Sequence, residues 1–302
     1  MEPSHHPNPT SFHRALAGFN AQRLLPRLPD DGWREDLEQE LAMRCREGEF
    51  IEALRTQVAP QMPAHGLSPD AFMRWFEALA ETGPGQHHPL FRWLAEDADA
   101  QDIRWFLRQE AAGEAGFEDL LAYTQVRLPQ QPKLECARNF WDEMGHGKGA
   151  AMHGHLLERM VNELGLKPDI GETVSESLAL SNAMVAMATS RRYAFHAIGA
   201  LGVIELTAPG RVRRVADGMR RTGFEARHRA YFELHAALDV SHARAWLREV
   251  IRPLAERDAA CARAMAEGAL IRLTCGARCF DRYARELGIR QADAASSGLA
   301  AS

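Results

Sequence analysis

His235, Asp239 and His242 stand at i, i+4 and i+7 in the stretch Tyr231-Phe-Glu-Leu-His-Ala-Ala-Leu-Asp-Val-Ser-His. At about 3.6 residues per turn a helix stacks those positions on one face. Two imidazoles and a carboxylate converging on one face are the donor types of an iron or zinc site. Leu238 and Val240 flank the triplet and Trp246 follows it. A stripe this polar turned toward a core requires a partner, and a divalent cation suits it. The same triplet would also fit a solvated surface in a chain with 13 histidines, so other segments have to supply the remaining ligands.

Three segments offer them. Glu143 follows Phe140 and Trp141 and precedes Met144, after which Gly145, Gly147 and Gly149 interrupt the helical pattern before His153. Glycine inside a helix costs about 1 kcal/mol against alanine. Such clustering predicts a bulge, a kink or a loop between two helices. On a straight helix Glu143 and His153 would lie about 80° apart, and a local distortion would bring them together. Glu205 is the only charge between Arg192 and Arg211. A carboxylate so isolated takes up a proton or binds a cation, unless it reaches solvent at a helix end before Pro209. Glu110 follows the aromatic Trp105-Phe106 pair, with Glu114 one turn on, and either also fits an ordinary helix surface.

The elements that must position these residues are all helical in period. Apolar spacing predicts helices over 33–58, 69–80, 102–126, from 133, 150–164, 175–206, 212–221, 224–252 and 254–287, with a stop at Pro209-Gly210. No alternating Val/Ile/Thr run bounded by turn residues is present. The expectation is an all-α protein with four parts. Residues 1–30, with Pro3, Pro7, Pro9, Pro26 and Pro29, read as a loose tail or surface arm, and 31–100 as an N-terminal helical extension packed on the core. Residues 101–290 carry the site, and 291–302 form a disordered tail.

Two ligand sets compete within this frame. A ferritin-like bundle takes a Glu and a Glu-x2-His from each half, and the order Glu110, Glu143-x2-His146, Glu205, Glu225-x2-His228 is available. Glu225, however, begins a helix crowded with arginines, where the helix dipole explains an acid. It also lies far beyond the expected break at Pro209. The other set is Glu143, His153, Glu205, His235, Asp239 and His242. Its order resembles the haem-oxygenase-like diiron oxidases and oxygenases, the iron-containing redox enzymes, from about residue 100 to about 285. The resemblance implies a haem-oxygenase-like seven-helix bundle. It implies two irons (Fe2+/Fe3+) held by Glu143, His153, Glu205, His235, Asp239 and His242, with Glu110 matching a further carboxylate that some members draw from an earlier helix. Glu143, Glu205 and Asp239 would shift between the irons during turnover, with O2 as cosubstrate.

The function expected is therefore oxidation of a small organic substrate by N-oxygenation, hydroxylation, desaturation or C–C cleavage, with room for an external electron donor. The alternative is a haem-oxygenase- or thiaminase-like, or ferritin-like, helical protein that binds metal or ligand without oxygenase activity. A haem-degrading member needs an axial His on an early helix, and His65 in a Pro/Gly loop is a poor one. Trp141, Met144, Met184 and Phe195 are pocket candidates, and Arg191, Arg192 and His196 could meet an anion. The net charge of −5 argues against nucleic acid. No apolar run reaches the roughly 18 residues of a membrane span. The N-terminus lacks a secretory layout, and five cysteines without a C-x2-C pair read as reduced thiols, so a cytoplasmic location is expected. A homodimer is the commonest assembly for such a domain.

Overall fold

Two long helices, α10 (Ala194–Arg221) and α13 (Ala259–Glu286), cross at the centre of the molecule. Their sequences alternate small and apolar residues where they meet. A Cβ on Gly199 would collide with the Met265 carbonyl, and one on Gly268 with the His196 carbonyl. The two backbones therefore touch through reciprocal glycines, closer than any side chain permits. In the computed structural model the described residues are 9–114 and 116–289, without the side chains of Pro9, Asp239 and Val240. The expected C-terminal tail, 291–302, and the first part of the expected N-terminal tail, 1–8, lie outside them. Every regular element among the described residues is helical.

The other helices wrap this crossing. Their order is α1 (Pro9–Arg23), α2 (Trp33–Val58), α3 (Pro69–Thr82), α4 (Pro89–Glu96), α5 (Ala100–Gly113), α6 (Phe117–Thr124), α7 (Gln130–Glu143), α8 (His153–Leu164), α9 (Ser175–Thr189), α11 (Ala226–Ala245) and α12 (Arg252–Arg257). Sequence signals set several starts. Ser68 caps α3 ahead of Pro69, as expected, and Asp99 forms a capping box with Asp102 at α5. Buried apolar residues fall into two clusters. One joins Ile51, Phe76, Met187, Ile198, Trp246 and Ile271, and the other joins Leu94, Phe106, Met160, Met219, Phe232 and Tyr283. Leu180 on α9 packs against both.

The structure departs from the expected elements in four places. The helix expected to stop at Pro209 continues through it, and the break falls earlier, at Ser190–Tyr193 between α9 and α10. Packing of α10 against α11, α13 and α4 outweighs the one backbone hydrogen bond that proline removes. Arg191 holds the real break by donating to the carbonyls of Tyr123, Thr124 and Val126. The span 102–126 divides at Gly116, which takes a φ of 72°. The span 224–252 ends in a π-helical segment, Trp246–Ile251, just before Pro253. The missing proline N–H leaves a carbonyl that the widened turn accommodates. Residues 9–23, read as loose arm, form α1 instead. Leu16 is fully buried, Asn20 Nδ2 donates to Asn182 Oδ1 at 3.0 Å, and Asn182 Nδ2 donates to the His13 carbonyl at 3.0 Å. Pro9 begins that helix, where a proline costs nothing.

No helix among the described residues is long and apolar enough to cross a membrane. The reciprocal glycines make one prediction. Gly268→Ala forces α10 and α13 apart and should destabilise the chain by about 2–3 kcal/mol, the cost of overpacking. The denaturation midpoint in urea measures it, and a midpoint equal to wild type would contradict the close crossing.

Candidate metal centre

The glycine segment solves the geometric problem posed by Glu143 and His153. Helix α7 ends at Glu143, two short 3-10 turns follow (Gly145–Gly147 and Gly149–Ala151), and α8 begins at His153. A Cβ on Gly145, at φ 59°, would lie 2.5 Å from the Ala151 carbonyl carbon, so only glycine lets the turns fold onto each other. The loop reading of this segment holds, and it delivers both side chains to one buried place. Glu143 Oε2 and His153 Nδ1 stand 2.5 Å apart. Neither atom has an aligned hydrogen bond. Two buried lone pairs that close repel one another unless a proton or a cation lies between them.

Two triads share that carboxylate. Glu143, His153 and His235 form one, and Glu143, Glu205 and His242 the other, with all donor atoms of each triad within 4.8 Å. His235 Nε2 is 3.9 Å from Glu143 Oε2, and its ring stands 4.6 Å from that of His153. His242 Nδ1 lies 3.5 Å from Glu205 Oε2, too long and misaligned for a hydrogen bond. Helix α11 thus presents His235 and His242 along one face, as their spacing predicted, and α10 brings Glu205 to the same point. Asp239 occupies α11 one turn after His235, but its side chain lies outside the described residues.

Neighbours fix which nitrogen of each imidazole is free. His235 Nδ1 is 2.9 Å from the Tyr231 carbonyl. A carbonyl only accepts, so Nδ1 carries the proton and Nε2 presents a lone pair toward Glu143. His242 Nε2 is 3.1 Å from Asp142 Oδ2. That contact assigns its proton to Nε2 and leaves Nδ1 facing Glu205. A ring that donates through one nitrogen to a carbonyl or carboxylate is the usual support of a metal-ligating histidine. Asn139 Nδ2 donates to Glu205 Oε1 at 2.8 Å, holding one oxygen and leaving the other toward His242. Neutral imidazoles mixed with carboxylates suit divalent iron, and the unpartnered Glu143, His153 and His242 atoms fit such an ion.

The charges bear this out. Burial pushes the Glu143 carboxyl up to about 8, opposed by His235 and reinforced by Glu205. Burial lowers His153 and His235 below the ordinary imidazole range. Burial also opposes a charge on His242, but the carboxylates of Glu205 and Asp142 overcome it and raise that ring to about 9. Without metal the centre is protonated at neutral pH at the very atoms a cation would take.

The remaining sequence candidates lie elsewhere. Glu110 belongs to neither triad; its Oε1 accepts the Tyr283 hydroxyl at 3.0 Å, and it lines a cavity of about 170 Å³ beside the centre. The ferritin-like partners do not converge. His146 is exposed at φ 53°, and His228 pairs with Glu163 at 3.1 Å. Met184 lines the cavity, whereas Trp141 is exposed and covers Gly147. Arg192 pairs with Glu52 at the surface, and His196 lies 3.0 Å from Glu267. Sequence reasoning missed Asn139 and Asp142, although a buried Asn one turn before Glu143 was a signal. It also missed Glu118, whose carboxylate packs on Gly154 next to His153 and whose charge reaches Glu143. An acid in the first turn of α6 reads from sequence as a helix-dipole residue.

Comparison with known proteins agrees with this geometry. Residues 104–277 match the family of iron-containing redox enzymes, and the chain belongs to it. Over 119 residues it is 28% identical to a nitrosourea synthase from Streptomyces achromogenes subsp. streptozoticus, a match covering 38% of this chain and 25% of that protein. The chain thus spans about a quarter of the length of that relative. The fold is all-α and haem-oxygenase-like, and the family implies iron and an oxidoreductase role.

Two outcomes follow for metal uptake. Asn139→Ala should weaken iron binding about 10- to 100-fold by releasing Glu205, the usual effect of losing such a supporting partner; an unchanged Fe(II) titration would contradict that role. Since Glu143 and His242 must shed protons to ligate, Fe(II) loading near pH 7 should release protons. Affinity should then rise with pH from about 6 and level off only above about 9, once both groups have lost their protons. Calorimetry in buffers of different ionisation enthalpy checks this, and heats independent of buffer would refute it.

Proposed function

We propose that this chain is a non-haem diiron oxidase or oxygenase that uses O2 to oxidise a small organic substrate, by N-oxygenation, hydroxylation, desaturation or C–C cleavage. The observation that carries the reading is the pair of triads hinged on Glu143. One iron falls to Glu143, His153 and His235, and the other to Glu143, Glu205 and His242. Asp239 completes the shell from its place between the two histidines of α11. Bound iron supplies the redox change through which O2 is reduced.

The chain's own groups do the rest. The Tyr231 carbonyl and Asp142 hold His235 and His242 in the ligating tautomers. Glu143, Glu205 and Asp239 are the carboxylates able to change their binding mode as charge at the centre changes. The adjacent cavity, with Leu180, Met184, Ile204 and Val212 in its wall, receives the substrate and limits water. Electrons beyond those of the substrate come from an external donor. The carboxylate from an earlier helix is better supplied by Glu118, beside His153, than by Glu110, which is engaged by Tyr283. The similarity to a nitrosourea synthase supports nitrogen oxidation among the outcomes. The haem-degrading alternative gains nothing from His65, which sits at the surface 3.3 Å from Arg263.

Anaerobic loading with Fe(II) tests the reading. Wild type should take up about two irons per chain, as carboxylate-bridged centres do, and change its optical spectrum on exposure to O2. His235→Ala should lose both properties, and Glu118→Ala should lower the iron count more than Glu110→Ala. Absence of stoichiometric iron, or uptake indifferent to His235, would sink the proposal.

A further inference from the structure

The cavity beside the triads holds a cation with no partner among the described residues. Arg272, on α13, lines the same space as Glu143, Glu205 and His235. Protein covers most of this side chain, which stays partly accessible. Among the described residues its guanidinium makes no hydrogen bond or ion pair, and it lines the cavity. An enclosed guanidinium with five unused donors is costly unless an anion arrives. Its neighbours are already engaged. Arg211 donates to Thr207 Oγ1 at 3.0 Å and lies over the rings of Phe91 and Phe280. The two wall carboxylates whose charge acts on Arg272 have donors of their own: Glu110 accepts from Tyr283 and Glu114 from the Gly116 N–H, each at 3.0 Å. They soften the charge of Arg272 without occupying its donors. The fold keeps room for the group, because a Cβ on Gly276 would sit 2.8 Å from its Nη1.

We infer that Arg272 anchors the carboxylate of the substrate, which is a small organic acid. Its apolar body lies along Leu180, Met184 and Ile204, and its far end faces the triads. A planar guanidinium receives a carboxylate through two parallel hydrogen bonds, which fixes orientation as well as affinity. The volume of about 170 Å³ is little more than the roughly 150 Å³ that takes up a benzene, so the body has few carbons. Calling the acid a substrate rests on reading the triads as the metal centre; the anion site itself does not.

Hexanoate, 1-hexanol and hexylamine are matched probes for this site. Their binding to the full chain is measured by calorimetry, both iron-loaded under anaerobic conditions and chelator-treated. Hexanoate should bind both forms and bind tightest. Arg272→Gln should weaken hexanoate about 10- to 100-fold, the loss of a charge-assisted pair, and leave hexanol unchanged. Arg272→Lys keeps the charge but not the fork and should fall between. Thermal unfolding checks each variant. Should Arg272→Gln not fold, Arg272→Lys and Gly276→Ala, which presses on Nη1, carry the test. No hexanoate binding, equal binding to Arg272→Gln, or tighter binding of hexylamine overturns the anchor. So does hexanoate binding that requires iron and ignores Arg272, which leaves the diiron reading intact. Arg272-dependent binding in a chain that takes up no iron upholds the anion site and removes the diiron reading.

Discussion

Glu143 and His153 face each other across 2.5 Å in a buried pocket, with no aligned proton between them. That repulsion is the constraint around which the rest of the molecule is arranged. Burying carboxylates and imidazoles together is expensive, and a protein bears the expense only where a proton or cation relieves it. Metal-free, the centre relieves it with protons on Glu143 and His242. A divalent ion relieves it more completely, so metal binding and proton release are one equilibrium.

Rigid surroundings make the arrangement possible. Glu205 rides on α10, whose crossing with α13 is fixed by touching backbones. His235 and His242 ride on α11, which packs along α10 and α8. Each donor then has a support: Asn139 for Glu205, Asp142 for His242 and the Tyr231 carbonyl for His235. The supports come from α7 and α11, the same elements that carry ligands, so positions and tautomers are set together. The centre lies at the seam where two apolar clusters meet through Leu180, and the cavity there opens onto Arg272. Carboxylates and imidazoles on one side and the Arg272 guanidinium on the other would give that space both ends of the proposed substrate site.

This chain belongs to the iron-containing redox enzymes over residues 104–277. Its similarity to a nitrosourea synthase covers only a quarter of that protein. What this chain acts upon is therefore to be sought in the residues of its own cavity.

The helical class and the shared face of His235 and His242 on α11 were legible because both are local: period 3.6 dictates which residues share a face. Glu205 was legible because an isolated charge in an apolar run has few explanations. The pairing of Glu143 with His153 was only half legible. Three glycines announced a distortion, but the backbone path through it depends on Ala151 lying against Gly145. The break assigned to Pro209 was misplaced, since burial of α10 on several sides overrides a local preference that sequence reading weighs alone. Which carboxylate from an earlier helix stands beside His153, and which arginine is left without a partner, are relations between residues far apart in the chain. Side-chain types and spacing singled out the candidate donors; only tertiary packing decided which of them meet, because convergence of several helices leaves no periodic trace in any one of them.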